Sequence, residues 1–240
     1  MSQIANPYRY DAQSVAAEAS ASARVDFIRK TYLHLAGAVG AFILLEYLLL
    51  QSSAIGSIVG TMISGYNWLI VLGLFMAVSW VANKWAQSAT SLPMQYAGLG
   101  LYVVADAIVF LPLLYVASRY AGPHVIPTAA LITALVFGAL TFGVFTTGKD
   151  FSFLGPILSL ATIVAIGFIV CSMLFGFNLG TIFTVIMIAV AGGYVLYTTS
   201  NVLHHYRIGQ HVAAALALFA AVALLFWYIL HLLMVLQGRD

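Results

Sequence analysis

The feature that most constrains this chain is a repeat of length. From Thr31 onward, apolar runs of roughly 20 residues follow one another with only short polar breaks between them. Roughly 20 residues of helix, at about 1.5 Å each, match the ~30 Å hydrocarbon core of a bilayer. The runs occupy 31–51, 62–82, 97–117, 126–145, 152–174, 180–200 and 212–236. They are apolar on every face, which rejects membrane strands of about 10 residues with in-and-out alternation. The breaks are rich in turn formers: Ser52-Ser53, Asn83-Lys84 through Pro93, Gly122-Pro123, Gly148-Lys149-Asp150, Gly176-Phe177-Asn178 and His204 to Gln210. The pattern predicts an all-α membrane protein, a bundle of seven transmembrane helices. Composition agrees, because only 7% of residues are charged, against about 25% in a soluble domain. Lipid must cover most of the surface.

Residues 1–26 form the one long polar stretch and read as a flexible N-terminal tail, with a short helix possible from Ala12 to Arg24. Residues 27–240 form the transmembrane domain. The tail holds no apolar run of about 7–15 residues, so it is not read as a signal peptide. Counting Lys and Arg by side sets the orientation. With the N-terminus cytoplasmic, that side collects Arg9, Arg24, Arg29, Lys30, Lys84, Lys149 and Arg207, against Arg119 and Arg239 outside. The C-terminus is therefore expected outside, and the location is a cytoplasmic-type membrane, read as a bacterial inner membrane.

Several function classes fall away. A net charge of +2 cannot be gathered into a phosphate-tracking stripe, so no nucleic-acid partner is expected. A single cysteine, Cys171, removes disulfides, CxxC redox pairs and thiolate zinc sites together. HExxH, GxSxG, Walker and dinucleotide signatures are all missing. Gly98-Leu99-Gly100 lies inside an apolar span and reads as a packing feature, not a phosphate loop. The chain reads as a non-enzyme with no cofactor and no metal.

Polar residues within the spans carry what chemistry there is. Asp106 lies near the middle of the third span and Glu46 in the outer third of the first. A carboxylate at the bilayer centre costs about 2.5–3.5 kcal/mol on insertion scales and is a functional candidate by default. Asp106 has no cation at similar depth; it is protonated, hydrogen-bonded to Tyr102 one turn earlier, or exposed to a water-filled cavity. Glu46 is expected near the interface, within reach of headgroups. His204, His205 and His211 flank Arg207, and His34 sits one turn inside the first span on the same side. They are pH-sensing candidates, because His alone changes charge near neutrality without a perturbed environment. Ala213, Ala217 and Ala221 form a small-residue stripe in the last span, which is expected to be central. Gly192-Gly193 marks either a close crossing or a kink.

Longer motifs add a family. Phe27-Ile28-Arg29-Lys30-Thr31-Tyr32-Leu33 opens the first span, Phe145-Thr146-Thr147-Gly148-Lys149-Asp150 joins the fourth and fifth, and Gly193-Tyr194-Val195-Leu196-Tyr197-Thr198-Thr199 closes the sixth. With Ala217-Leu218-Phe219 through Leu225-Phe226 in the last span, their order and spacing resemble the Bax inhibitor-1 family of seven-helix membrane proteins over residues 24–236. The resemblance implies a pair of aspartates, in the sixth and seventh helices, that senses protons and gates a calcium leak. In this sequence those positions correspond to Thr198 and Ala221, and the second span lacks the family's latching Arg. Paired carboxylates share a proton and titrate near neutrality; Thr and Ala do not. The resemblance therefore implies the scaffold without its di-aspartyl sensor. The expected role is a partner-binding, regulatory or accessory subunit in the lipid bilayer, working with a membrane protease or a larger complex. The alternative is a pH-dependent leak of Ca²⁺ or another cation through Asp106.

Overall fold

The computed structural model describes residues 14–88 and 91–238, and these are helical with no extended sheet. The helices are α1 (Ala21–Leu50), α2 (Ile55–Ile63), α3 (Asn67–Ala86), α4 (Leu92–Tyr120), α5 (Val125–Thr147), α6 (Leu154–Phe175), α7 (Gly180–His204) and α8 (His211–Gln237). Seven of them are long and apolar enough to cross a membrane. Short α2, which the run lengths did not reveal, fills the connection between the first two spans and packs Ile55 and Val59 beside Leu111 of α4.

The ends follow from local chemistry. Ser20 and Ser91 cap α1 and α4, each side chain accepting from a backbone N–H three residues on. Gly148 and Gly176 end α5 and α6 in the left-handed conformation, φ 59° and 72°, where a Cβ would be strained.

α1 starts well before the apolar run does. Of the residues read as a flexible tail, 1–13 lie outside the described residues, Ser14 to Ala16 pair with the α7–α8 connection, and 21–26 belong to α1. The Ala16 amide donates to the Tyr206 carbonyl (2.9 Å) and the Ile208 amide to the Ser14 carbonyl (3.3 Å). Arg24 reaches back from α1, its Nε donating to the Ala16 carbonyl at 2.7 Å and its Nη2 to that of Ala17. Ala16 is fully buried. The segment is ordered because its backbone groups find partners on the loop, a fact composition does not encode. Arg9 and Arg239, used in the orientation argument, are likewise outside the described residues.

α4 and α8 form the centre. α8 packs against α1, α3, α4, α5 and α7, and α6 leans on α7. Ala213 and Ala221 are buried in the α8 interface, as the small-residue stripe predicts. Gly98 is the tightest crossing: a Cβ there would meet the Ala82 carbonyl oxygen at 2.5 Å and the Ala86 nitrogen at 2.6 Å. Gly193 is a close crossing and not a kink, since α7 runs unbroken through it and a Cβ would sit 3.0 Å from Leu158 of α6. Outer faces carry exposed Leu44, Ile70, Leu135, Leu160 and Ile182, a surface that only lipid solvates.

Candidate functional site

The buried positions of α1 are Phe27, Thr31, Leu35, Ala38, Phe42 and Glu46, a stripe with steps of four, four, three, four and four residues. That is the 3.6-residue period of a core-facing helix surface. Glu46 belongs to it and is 4% exposed. The expectation that it reaches for headgroups is therefore corrected: depth along the helix places it near the interface, but its face points inward. Asp106 is 5% exposed on α4, which is buried along most of its length.

The two acids, 60 residues apart in sequence, are both buried on α1 and α4, helices that pack against each other. Neither Glu46 oxygen has a hydrogen-bond partner, nor has Asp106 Oδ2. Tyr102 makes no hydrogen bond to Asp106 among the described residues, so that way of satisfying the acid is not used. Asp106 instead borders a cavity of about 210 Å³ with Trp68, Phe75, Phe110, Leu224, Trp227 and Tyr228 among its walls and no cation. The rings around it are locked together: Phe110 meets Trp227 edge-on at 4.9 Å and Phe42 at 5.1 Å. An orphaned buried polar group costs about 1–3 kcal/mol, more if charged. Asp106 thus carries an unsatisfied oxygen beside an aromatic cavity, and Glu46 is likewise unsatisfied on the neighbouring helix, an arrangement with no packing benefit.

The four histidines divide into separate clusters. His34 Nδ1 donates to the Lys30 carbonyl (2.7 Å), so its Nε2 accepts from the Tyr96 hydroxyl (2.8 Å), the tautomer following from the carbonyl's inability to donate. Its ring lies 4.9 Å from that of His211. His205 Nε2 pairs with Asp150 Oδ2 at 3.0 Å, and His204 Nδ1 donates to the Ser200 carbonyl at 3.2 Å. The Asp150 carboxyl also accepts from the Ser152 amide (2.8 Å) and the Ser200 hydroxyl (3.2 Å). Chiefly through that amide, and then through His205, it is held down at about 2. These bonds tie the α5–α6 connection to the end of α7.

At the two positions matching the family's aspartates, Thr198 is 7% exposed and turns its hydroxyl back onto its own helix, donating to the Tyr194 carbonyl at 2.7 Å, while Ala221 offers only a methyl. Next to Thr198, the buried hydroxyls of Thr199, Tyr32 and Thr141 lie near one another with no well-aligned hydrogen bond.

Comparison with known proteins agrees with this architecture. The sequence profile of the family described as "Inhibitor of apoptosis-promoting Bax1" matches residues 24–238. The chain belongs to that family. Among curated relatives of this chain, LIFEGUARD 3 of Arabidopsis thaliana is 29% identical over 150 residues, 60% of this chain and 59% of the relative. LIFEGUARD 2 of the same plant is 31% identical over 148 residues, 59% of each. A BI1-like protein, also from Arabidopsis thaliana, is 35% identical over 88 residues, 36% of this chain and 34% of the relative. The chain spans at most about three fifths of the length of these relatives. It is a multi-pass membrane protein by family and by helix content.

Sequence reasoning named both acids but not their placement on packed helices, since α1 and α4 are joined only by packing. It also passed over His231, half-buried in α8 with Nδ1 3.1 Å from Thr184 Oγ1. A lone polar residue inside an apolar run is itself the signal that could have found it.

Proposed function

We propose that this Bax1-inhibitor family member passes a cation across the bilayer by way of the Glu46–Asp106 pair, which takes over the part that the family resemblance assigns to aspartates at positions 198 and 221. One observation carries the reading: two buried carboxylates on the packed helices α1 and α4 have orphaned oxygens, and a cavity reaches one of them. Like charges without a counter-cation are balanced by a proton or a cation from outside, and that exchange makes passage depend on pH. The titratable groups facing Asp106 are Glu46 from α1, Tyr102 from α4 and Tyr228 from α8; α3 and α6 contribute only apolar and aromatic side chains. Ca²⁺ takes about 6–8 oxygens, and two carboxylates supply at most four. Water completes the shell of any such ion, which favours passage over storage.

Reconstitution in liposomes tests this. Ca²⁺ and proton flux are expected for the native chain and are lost in Asp106→Asn and Glu46→Gln; flux unchanged in both variants removes the pair from the mechanism.

A second reading, a regulatory or accessory subunit for a membrane protease or larger complex, is favoured by the non-titrating Thr198 and Ala221. A lone monomer after gentle-detergent purification counts against it. Neither reading involves catalysis. The location we propose is a bacterial inner membrane with the N-terminus cytoplasmic, supported by the Lys/Arg asymmetry; a cysteine placed beside Gly238 and labelled from the cytoplasmic side overturns the orientation.

A further inference from the structure

The cavity at Asp106 has a neighbour. A wider cleft of about 560 Å³ lies at the end of the bundle that carries the α6–α7 turn, where Gly176, Phe177 and Asn178 are exposed. Its lining adds the polar side chains of Ser172, Asn178, Thr184 and His231, none of which lines the inner cavity. Cleft and cavity share a border of four residues, Trp68, Ile169, Trp227 and Tyr228. Two of its four members are indoles stacked at 6.4 Å between centroids and 16° between planes. Trp227 is braced from behind, edge-on to Phe110 at 4.9 Å. Trp68 makes no other ring contact among the described residues and is half-buried on the first turn of α3.

We propose that the cleft is the vestibule from which a hydrated cation reaches Asp106, and that Trp68 is the movable leaf of a partition between cleft and cavity, opening when its ring swings off Trp227. An apolar constriction of this kind closes a pathway by excluding water, and a ring rotation is fast against turnover. This rests on Asp106 being part of the ion pathway, but it adds the end of the bundle from which the acid is reached and the residue that controls access.

The test separates the two claims. In a Cys171→Ala background, Ala220→Cys places a thiol on the cavity wall, and its rate of modification by a small cationic methanethiosulfonate reports access. Trp68→Ala is expected to raise that rate at least ten-fold, while Trp68→Phe, which keeps a ring, leaves it near the native value. Trp80→Ala, a change on the outer face of the same helix, is the control for general loosening. A rate unmoved by Trp68→Ala, or raised equally by Trp80→Ala, overturns the gate. If Trp68→Ala fails to fold, Trp68→Leu is measured in its place under the same criteria. Flux is read in parallel: Trp68→Ala is expected to raise it several-fold, and adding Asp106→Asn to return it to the level of empty liposomes. Faster labelling without any flux supports the vestibule and refutes conduction; flux that needs Asp106 with labelling indifferent to Trp68 does the reverse.

Discussion

Replacing Asp106 with leucine separates what the acid does for the fold from what it does for function. An ionised carboxylate at mid-bilayer costs about 2.5–3.5 kcal/mol, while leucine gains about 0.3–0.6 kcal/mol. The swing is therefore about 3–4 kcal/mol if Asp106 is charged. If it is neutral, the relief is that of removing one orphaned polar group, about 1–3 kcal/mol. Leucine keeps the branching of aspartate, with two methyl groups in place of the carboxyl oxygens, and the adjoining 210 Å³ cavity offers room for their added bulk. Both cases predict a more stable protein. At roughly 2–4 °C per kcal/mol for a chain of this size, Tm rises by about 2–16 °C across the two cases. Thermal unfolding in detergent, followed by the fluorescence of the four tryptophans, reads this directly, alongside Leu99→Ala as an ordinary core truncation expected to lose about 2–5 kcal/mol. Loss of flux together with a gain in stability is the signature of a group kept for function. A Tm that falls as it does for Leu99→Ala refutes the reasoning, because the carboxylate must then make stabilising contacts.

Two further outcomes check the packing and the loop. Gly98→Ala forces a methyl group into the backbone of α3, which cannot rotate away, and is expected to cost about 3 kcal/mol; Gly100→Ala, with nothing within 4 Å, is expected to be neutral or to stabilise by about 0.5–1 kcal/mol. Similar melting shifts for the pair contradict the close crossing. Asp150, held down at about 2, stabilises the fold above its unfolded value near 3.8, and this contribution is lost as pH falls from about 4 through 2. Asp150→Asn is expected to flatten the acid limb of a pH–stability profile over that window; a profile parallel to the native one removes the Asp150–Ser152–His205 tie from the account.

Much of the site was legible in the chain. Asp106 stands out because an acid in an apolar run is expensive, and Glu46 stands out for the same reason. Its inward face was not legible, since the first span is apolar on every face and only the structure shows Glu46 in one buried stripe with Phe42, Ala38, Leu35 and Thr31. Nor was the placement of the two acids on packed helices, because nothing local couples residues 60 positions apart. The histidines show the same limit. His205 pairs with Asp150, whereas nearby His211 meets His34 of α1, which bonds Tyr96. Partners of this kind are chosen by which helices pack together.

By itself, then, the sequence determined the environment and the number of spans, because transfer of about 20 apolar residues from water to lipid outweighs any later choice of packing. It also determined that the titrating groups expected at Thr198 and Ala221 are missing. Tertiary structure alone decided that Glu46 and Asp106 are both buried on packed helices, that Trp68 and Trp227 border both the Asp106 cavity and a polar cleft, and that Ser14 to Ala16 pair with the α7–α8 connection. Hydropathy is a property of each segment and can be read along the chain, whereas the juxtaposition of polar groups depends on helix rotation and close approach, set by contacts such as Gly98 on Ala82 that no single segment contains.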